Sequence, residues 1–445
     1  MSEKRTAVNN LLEFSLWYLL AVLFSWAGQT VMPAVFLLLA ALKLYFREYR
    51  RTGRLLNLTG LYALGLIGGE GVACLKLSRL STEWTVETWL SFYLAYALFY
   101  AAAVLMQHWQ ETRAQAGAAV PKTLPSEKSL LCQRSVIQLL LLLVYGCFFL
   151  EAWKLGFIPF FTKDMPHAYS TFHLPGVHYF TTLAVLIPAF SVQYLRRKGK
   201  PDVTAVLGLI LPFVLTVLLV SRFQMMFAAI LMVFSYLLSG EHLRLWQGVV
   251  LALCLVLLYV LITVMRAHSV SYLNGIFEMK NPDTPIFVTQ PYMYIANNYD
   301  NFNVMTRELT QHSHGLKMLY PLLTLSGLKF FLPLELGFPL FTTKEELTTV
   351  TILYDCWYDF GIFGVMLFSL LLGAFCGWLM GQRRGRNPYG SVMQAQVCFY
   401  LLFSFFTTWF SNPATWFYLG VSLLLWLLYR ALVDKEGYET YNAGI

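Results

Sequence analysis

An arginine with hydrophobic sequence on both sides is the first feature of this chain that suggests chemistry. Arg222 holds that position, in Leu-Val-Ser-Arg-Phe-Gln-Met-Met. A guanidinium at the end of a hydrophobic hairpin is costly unless it reaches headgroups, meets a partner or faces a polar cavity. Its spacing leaves two readings open: snorkelling to the headgroups, or a planar fork of donors for a phosphate near the membrane surface. Arg266 ends another apolar run, in Val-Met-Arg-Ala-His-Ser, with His268 two residues later. Two arginines at one depth on one leaflet would suit a diphosphate.

Further along, Tyr292, Tyr294, Asn297, Asn298, Tyr299, Asp300, Asn301 and Asn303 fall within a dozen residues. Amides, a carboxylate and aromatic rings together are the groups that hold sugars, through hydroxyl hydrogen bonds and stacking. The plainer reading is a loop cap built on Asx turns. Arg307, His312 and His314 follow. His-Ser-His has no third ligand at metal spacing, so a metal is not expected, and one His as a general base is the remaining functional reading. Asp300 is the other candidate base. Tyr354, Asp355 and Asp359 come next, and the two acids, four apart, would share one face of a helix. No Asp-x-Asp pair occurs in the chain, and its seven cysteines form no Cys-x-x-Cys, so metal-bound diphosphate, zinc and a disulfide framework are all unindicated. No cofactor is expected. Glu70, in Gly-Gly-Glu-Gly, is an acid inside an apolar run and is functional by default unless a helix break solvates it. Gly373, Gly377 and Gly381 repeat at the spacing of close helix packing.

The elements that must carry these residues are set by composition. The chain of 445 residues is 58% hydrophobic and only 13% charged, with a mean hydropathy of +0.57. A soluble domain carries about twice that charged fraction, so lipid must face most of this surface. The net charge of +8 lies in short basic clusters between apolar runs, which speaks for membrane loops and against nucleic acid. Runs of about 20 apolar residues predict about twelve transmembrane helices in an all-α polytopic protein. They fall at 11–30, 31–46, 55–75, 88–107, 135–154, 177–195, 203–220, 223–239, 246–264, 359–380, 391–410 and 415–432. The first run is long enough to span, so no cleavable signal peptide is expected. With both termini inside, 21 of the 32 Lys and Arg fall on inner segments, as the positive-inside rule requires. Three parts follow: helices one to nine in 1–264 with an outer loop at 155–177, a large outer loop at 265–358, and helices ten to twelve with a cytoplasmic tail in 359–445. Within the large loop, Leu316–Leu340 is semi-apolar and predicts a re-entrant or interfacial helix. Six of the eight His fall on the outer side, His178 among them, so the working site is expected there.

Three segments resemble the bacterial oligosaccharide repeat unit polymerases, the O-antigen polymerase (Wzy-type) family. They are Gly156-Phe-Ile-Pro159-Phe, Ser221-Arg222 between two apolar runs, and Tyr358-Asp359-Phe-Gly361-Ile-Phe-Gly364 leading into a glycine-containing helix. In order and spacing the resemblance covers roughly 130–385. It implies a GT-C-like architecture and a metal-independent glycosyltransferase at the outer face of the bacterial cytoplasmic (inner) membrane. Such an enzyme moves a growing glycan from undecaprenyl diphosphate onto a hydroxyl of the next lipid-linked repeat unit. Its partners would be the lipid-linked donor and acceptor, the bilayer, a chain-length regulator and a flippase. Under this resemblance Arg222, and by position Arg266, hold the diphosphate. His312, His314 and Asp300 are the candidates for orienting or deprotonating the acceptor. Tyr294, Asn298, Asn301, His268, Arg307, Tyr354 and Asp359 would contact glycan.

Two other readings stand beside it. A glycan ligase of the O-antigen type, or another lipid-linked glycosyltransferase, differs only in its acceptor. A flippase or other transporter would place its site near the bilayer midplane on broken helices and often shows internal repeats, and no repeat is evident here. A scaffold protein would give the arginines no task.

Overall fold

The computed structural model describes residues 2–114, 126–162, 165–240, 270–332, 337–381 and 387–434. In chain order its helices begin with α1 (Ser2–Trp26), α2 (Val31–Thr52), α3 (Leu58–Ala73), α4 (Val86–Ala114) and α5 (Glu127–Leu155). Next come α6 (Met165–Thr171), α7 (Val177–Thr182), α8 (Ile187–Lys198), α9 (Val203–Leu218) and α10 (Arg222–Leu238). After them follow α11 (Val270–Phe277), α12 (Ile286–Glu308), α13 (Leu316–Leu325), α14 (Tyr354–Gly381), α15 (Pro388–Leu402) and α16 (Pro413–Tyr429). Among the described residues there is no strand, only an isolated bridge between Ser78 and Met279.

Five stretches are long and apolar enough to cross a membrane: Thr6–Trp26, Val86–Gln110, Glu127–Leu155, Tyr354–Gly381 and Pro413–Val433. They expose Leu142 and Trp153 of α5 and Phe363 and Leu371 of α14 by more than 60%, which is the surface expected against lipid rather than water. The chain is a helical membrane protein. Other expected spans are shorter or broken. α9 and α10 have 16 and 17 residues, and the run at 177–195 is divided by a 3₁₀ turn, Leu183–Leu186, ahead of Pro188. α15 stops at Leu402 inside the run expected to reach 410. The ninth expected span, 246–264, lies outside the described residues.

Helix ends follow local chemistry. Ser126 accepts from Ser129 N to start α5, and Asp202 accepts from Ala205 N at 2.8 Å to start α9. Gly53, Gly156 and Gly199 end α2, α5 and α8 in the left-handed conformation.

The chain divides into two units. The first contains 1–118, 268–382 and 400–416. In it α1 and α2 form a hairpin, and α14 lies along α4. The seam is the glycine repeat: a Cβ on Gly373 would overlap the Phe99 carbonyl, one on Gly377 the Ala103 carbonyl, and one on Gly381 the Gln110 side chain. Close approach is therefore what these glycines provide. α14 is two helices joined at Phe360 and Gly361, where Gly361 has φ +60 and ψ −140, a combination only glycine adopts readily. The stretch 265–358, expected as loop, is largely helical where it is described. α12 is its main part, 23 residues long, and packs against the Gly69–Ala73 turn of α3.

The second unit contains 119–267, 383–399 and 417–445. α5, α8, α9 and α10 pack around one another, close enough that a Cβ on Gly208 would overlap Ser191 Oγ. Polar side chains join the helices across apolar surface: Gln193 to the Ser235 carbonyl at 2.7 Å, Gln138 to Thr204 at 3.1 Å, and Gln396 to Ser422 at 2.7 Å.

Candidate functional site

In the second unit, a hydrogen-bonded chain of side chains reaches Gln224, two residues after Arg222. α9 ends in a turn that puts Val220 at φ +56, and Arg222 opens α10 immediately afterwards. The Arg222 side chain is half-buried, with Nη1 shut off from solvent. Two residues on, Gln224 donates from Nε2 to the Tyr169 hydroxyl at 2.6 Å. Tyr169 lies 3.2 Å from His178 Nε2, and His178 Nδ1 lies 3.1 Å from Glu151 Oε1. Glu151 is fully buried near the end of α5, where it also accepts from Thr181 Oγ1 at 2.6 Å and Leu174 N at 2.9 Å.

A carboxylate only accepts, so His178 Nδ1 carries a proton and donates to Glu151. Burial pushes the Tyr169 phenol up, which keeps it protonated. Tyr169, His178 and Glu151 thus form one hydrogen-bonded series that ends on a buried carboxylate.

In the first unit the site residues read from sequence separate into two groups. Asp355 and Asp359 do share a face, as their spacing predicts. Asp359 accepts from Ser313 Oγ at 2.5 Å, Lys317 N at 3.1 Å and Met318 N at 2.9 Å, so it caps the start of α13 from a distance. Asp355 takes the Lys317 ammonium at 2.9 Å, and that ammonium also sits 4.4 Å from the Tyr358 ring. His312 is exposed and donates from Nδ1 to the Tyr358 carbonyl at 3.1 Å, which leaves Nε2 as its acceptor. His314 is exposed at φ +49 with its ring near Phe360, and Arg307 is exposed at the end of α12. Tyr294 is exposed too, with its ring near Phe406.

In the second group, Asn298, Asp300 and Asn301 are buried on α12, each with partners in the protein. Asn298 donates to the Phe405 carbonyl at 2.6 Å and accepts from Thr349 at 2.6 Å. Asn301 donates to the Leu347 and Thr349 carbonyls and accepts from Thr343 N. Asp300 Oδ1 accepts from Trp84 Nε1 at 2.9 Å and Thr82 N at 3.2 Å, and burial raises its carboxyl to about 6. Tyr354 is fully buried, its hydroxyl bonded to both the N–H and the carbonyl of Phe341. Asp359 likewise has both oxygens engaged. These groups tie irregular backbone to helices. Arg266 and His268 lie outside the described residues.

Among the described residues no group of three His, Cys, Asp or Glu could hold a metal. Sequence reasoning missed the Glu151–Tyr169 series. The available signal was an acid at the end of an apolar run, Phe-Phe-Leu-Glu-Ala-Trp, followed within 30 residues by an outer-side His. What the fold defines is a helical membrane protein, with a buried hydrogen-bonded series of polar side chains in its second unit. No family model matches the chain, and neither does any curated protein or solved structure.

Proposed function

We propose that the chain is a lipid-linked glycan polymerase of about twelve spans, with both termini in the cytoplasm and its site at the outer face of a bacterial cytoplasmic membrane. The observation that carries this reading is the Tyr169–His178–Glu151 hydrogen-bonded series, joined through Gln224 to the start of the helix that Arg222 opens. Together they supply what glycosyl transfer from a prenyl diphosphate needs: a fixed cation for the leaving diphosphate and a path for the acceptor proton.

In the proposed step, the acceptor hydroxyl oxygen of one lipid-linked repeat unit attacks the anomeric carbon of the donor glycan. The carbon–oxygen bond to the diphosphate breaks, and undecaprenyl diphosphate leaves with the electron pair beside Arg222. The acceptor proton passes to the Tyr169 oxygen as Tyr169 gives its own proton to His178 Nε2. Glu151 stabilises the imidazolium so formed, in the role a buried carboxylate plays towards a catalytic histidine.

The test is the glycan profile of cells without the protein. A polymerase predicts loss of long chains with single repeat units still attached. Loss of all attached glycan would instead identify a ligase, and an unchanged profile would overturn both.

A further inference from the structure

The first unit holds a polar pocket that the proposed chemistry does not use. It lies between the start of α1 and the end of α2 and has a volume of about 370 Å³. Asn9 and Asn10 line it from α1, and Arg47, Arg50 and Arg51 line it from α2.

Charge is in excess there. Glu48 is buried and takes the Arg51 guanidinium at 2.9 Å. Glu13 is shared between Arg47 and Lys43, and Arg47 also donates to Asn10 Oδ1 at 2.9 Å. Among the described side chains four cations thus meet two carboxylates, and Arg50, which is exposed, enters none of these pairs. A guanidinium presents its donors as a planar fork that fits two oxygens of one phosphate.

The surroundings are apolar on one side. A much smaller cleft shares Asn10 and Arg47 with the pocket and is lined beyond them by Phe14, Trp17, Ala40 and Leu44 together with the Glu13–Lys43 pair. Outside it, Val8, Leu12, Leu16 and Leu19 expose one stripe along α1, and Leu39, Leu42 and Phe46 do the same along α2. Donors therefore sit at one end and hydrocarbon-compatible surface begins a turn away. A soluble phosphate ester would use only the first of these, whereas an amphiphile uses both.

We propose that this pocket binds the phosphate-bearing headgroup of an anionic phospholipid, with the acyl chains following the apolar faces of α1 and α2. Basic pockets between membrane helices favour such headgroups, because excess cationic charge meets an anionic leaflet at the same depth. The assignment does not depend on the glycan reading.

The test uses the full chain, purified in detergent, stripped of lipid and titrated with phosphatidylglycerol or phosphatidylcholine, with bound lipid counted by native mass spectrometry. One phosphatidylglycerol should be retained at concentrations where phosphatidylcholine is lost. Arg50→Glu should lower that occupancy roughly five- to tenfold, and Arg50→Lys should lower it less. Arg50→Gln serves if the charge reversal does not fold, with a smaller loss expected. Equal retention of the two lipids, or unchanged occupancy in the Arg50 variants, would overturn the site. Displacement of the lipid by millimolar inorganic phosphate would overturn the lipid assignment in favour of a soluble phosphate ester.

Discussion

A half-buried arginine at the mouth of an apolar hairpin has two possible duties, and substitution separates them. If Arg222 holds a diphosphate, Arg222→Ala removes a donor fixed where charge develops, worth roughly 3–4 kcal/mol, or a hundred- to thousandfold in rate. Lys keeps the charge but loses the fork and should rescue only in part. If Arg222 only snorkels, Ala should lower the yield of folded protein and Lys should restore it. Chain extension per folded molecule decides, and near-normal activity in the Ala variant would remove Arg222 from the site. Asp300 offers a second measurement at this scale. Its carboxyl is raised to about 6, against an ordinary value near 4 in the unfolded chain. The folded state therefore binds this proton more tightly. Stability from this group is full below about pH 4 and declines as pH rises through 6. Thr82 N, Thr82 Oγ1 and Trp84 Nε1 all donate to Asp300 Oδ1, so Asn can keep these bonds and place its amide where the proton sat. Asp300→Asn should flatten the dependence of thermal stability between pH 4 and 6 and gain on the order of 2 kcal/mol at neutral pH. A variant less stable than the parent at pH 7 would contradict the neutral-carboxyl account.

Elements show where sequence patterns carry information and where they stop. The glycine repeat of α14 was legible because close packing imposes a period on one helix, and the carbonyls of Phe99 and Ala103 indeed lie where side chains would be. Placing a methyl at Gly377 must push α14 from α4, so Gly377→Ala should cost about 1–3 kcal/mol, read as a lower melting temperature of the purified protein. No loss would mean that the two helices separate freely. The pairing of Asp355 with Asp359 was legible for the same reason of period. The partners of the α12 asparagines were not legible, because the carbonyls of Leu347, Thr349 and Phe405 are backbone atoms far along the chain. No side-chain pattern announces a carbonyl that a helix will have to satisfy. Glu151 and His178 were missed on similar grounds: they are 27 residues apart with a turn between them, and neither spacing nor period links them.

The whole molecule must resolve a conflict between length and orientation. Apolar runs in the sequence suggest about twelve crossings, while five described helices have the length and composition to cross unaided. Helices of 16 or 17 residues rise only about 25 Å, short of a typical hydrocarbon core near 30 Å. α9 and α10 are joined by a short connection, 219–221. Gln224 holds the start of α10 to Tyr169, and in the proposed topology this connection would dip to the level of a lipid diphosphate. Charge argues for the same arrangement. Arg196, Arg197, Lys198 and Lys200 cluster at one end of the α8–α9 pair, and Arg222 follows the other end of α9. In the proposed topology the positive-inside rule would place the cluster in the cytoplasm and Arg222 outside. Reporter fusions test this directly: fusions after Lys200 and near Asn387 should report cytoplasm, and one after Asn281 should report the outer side. A cytoplasmic signal after Asn281 would invert the first unit's outer segment. A cytoplasmic signal at Arg222 itself, placed by labelling of Arg222→Cys in a background without the native cysteines, would put the arginine on the wrong leaflet for an outer-face diphosphate and end the polymerase assignment.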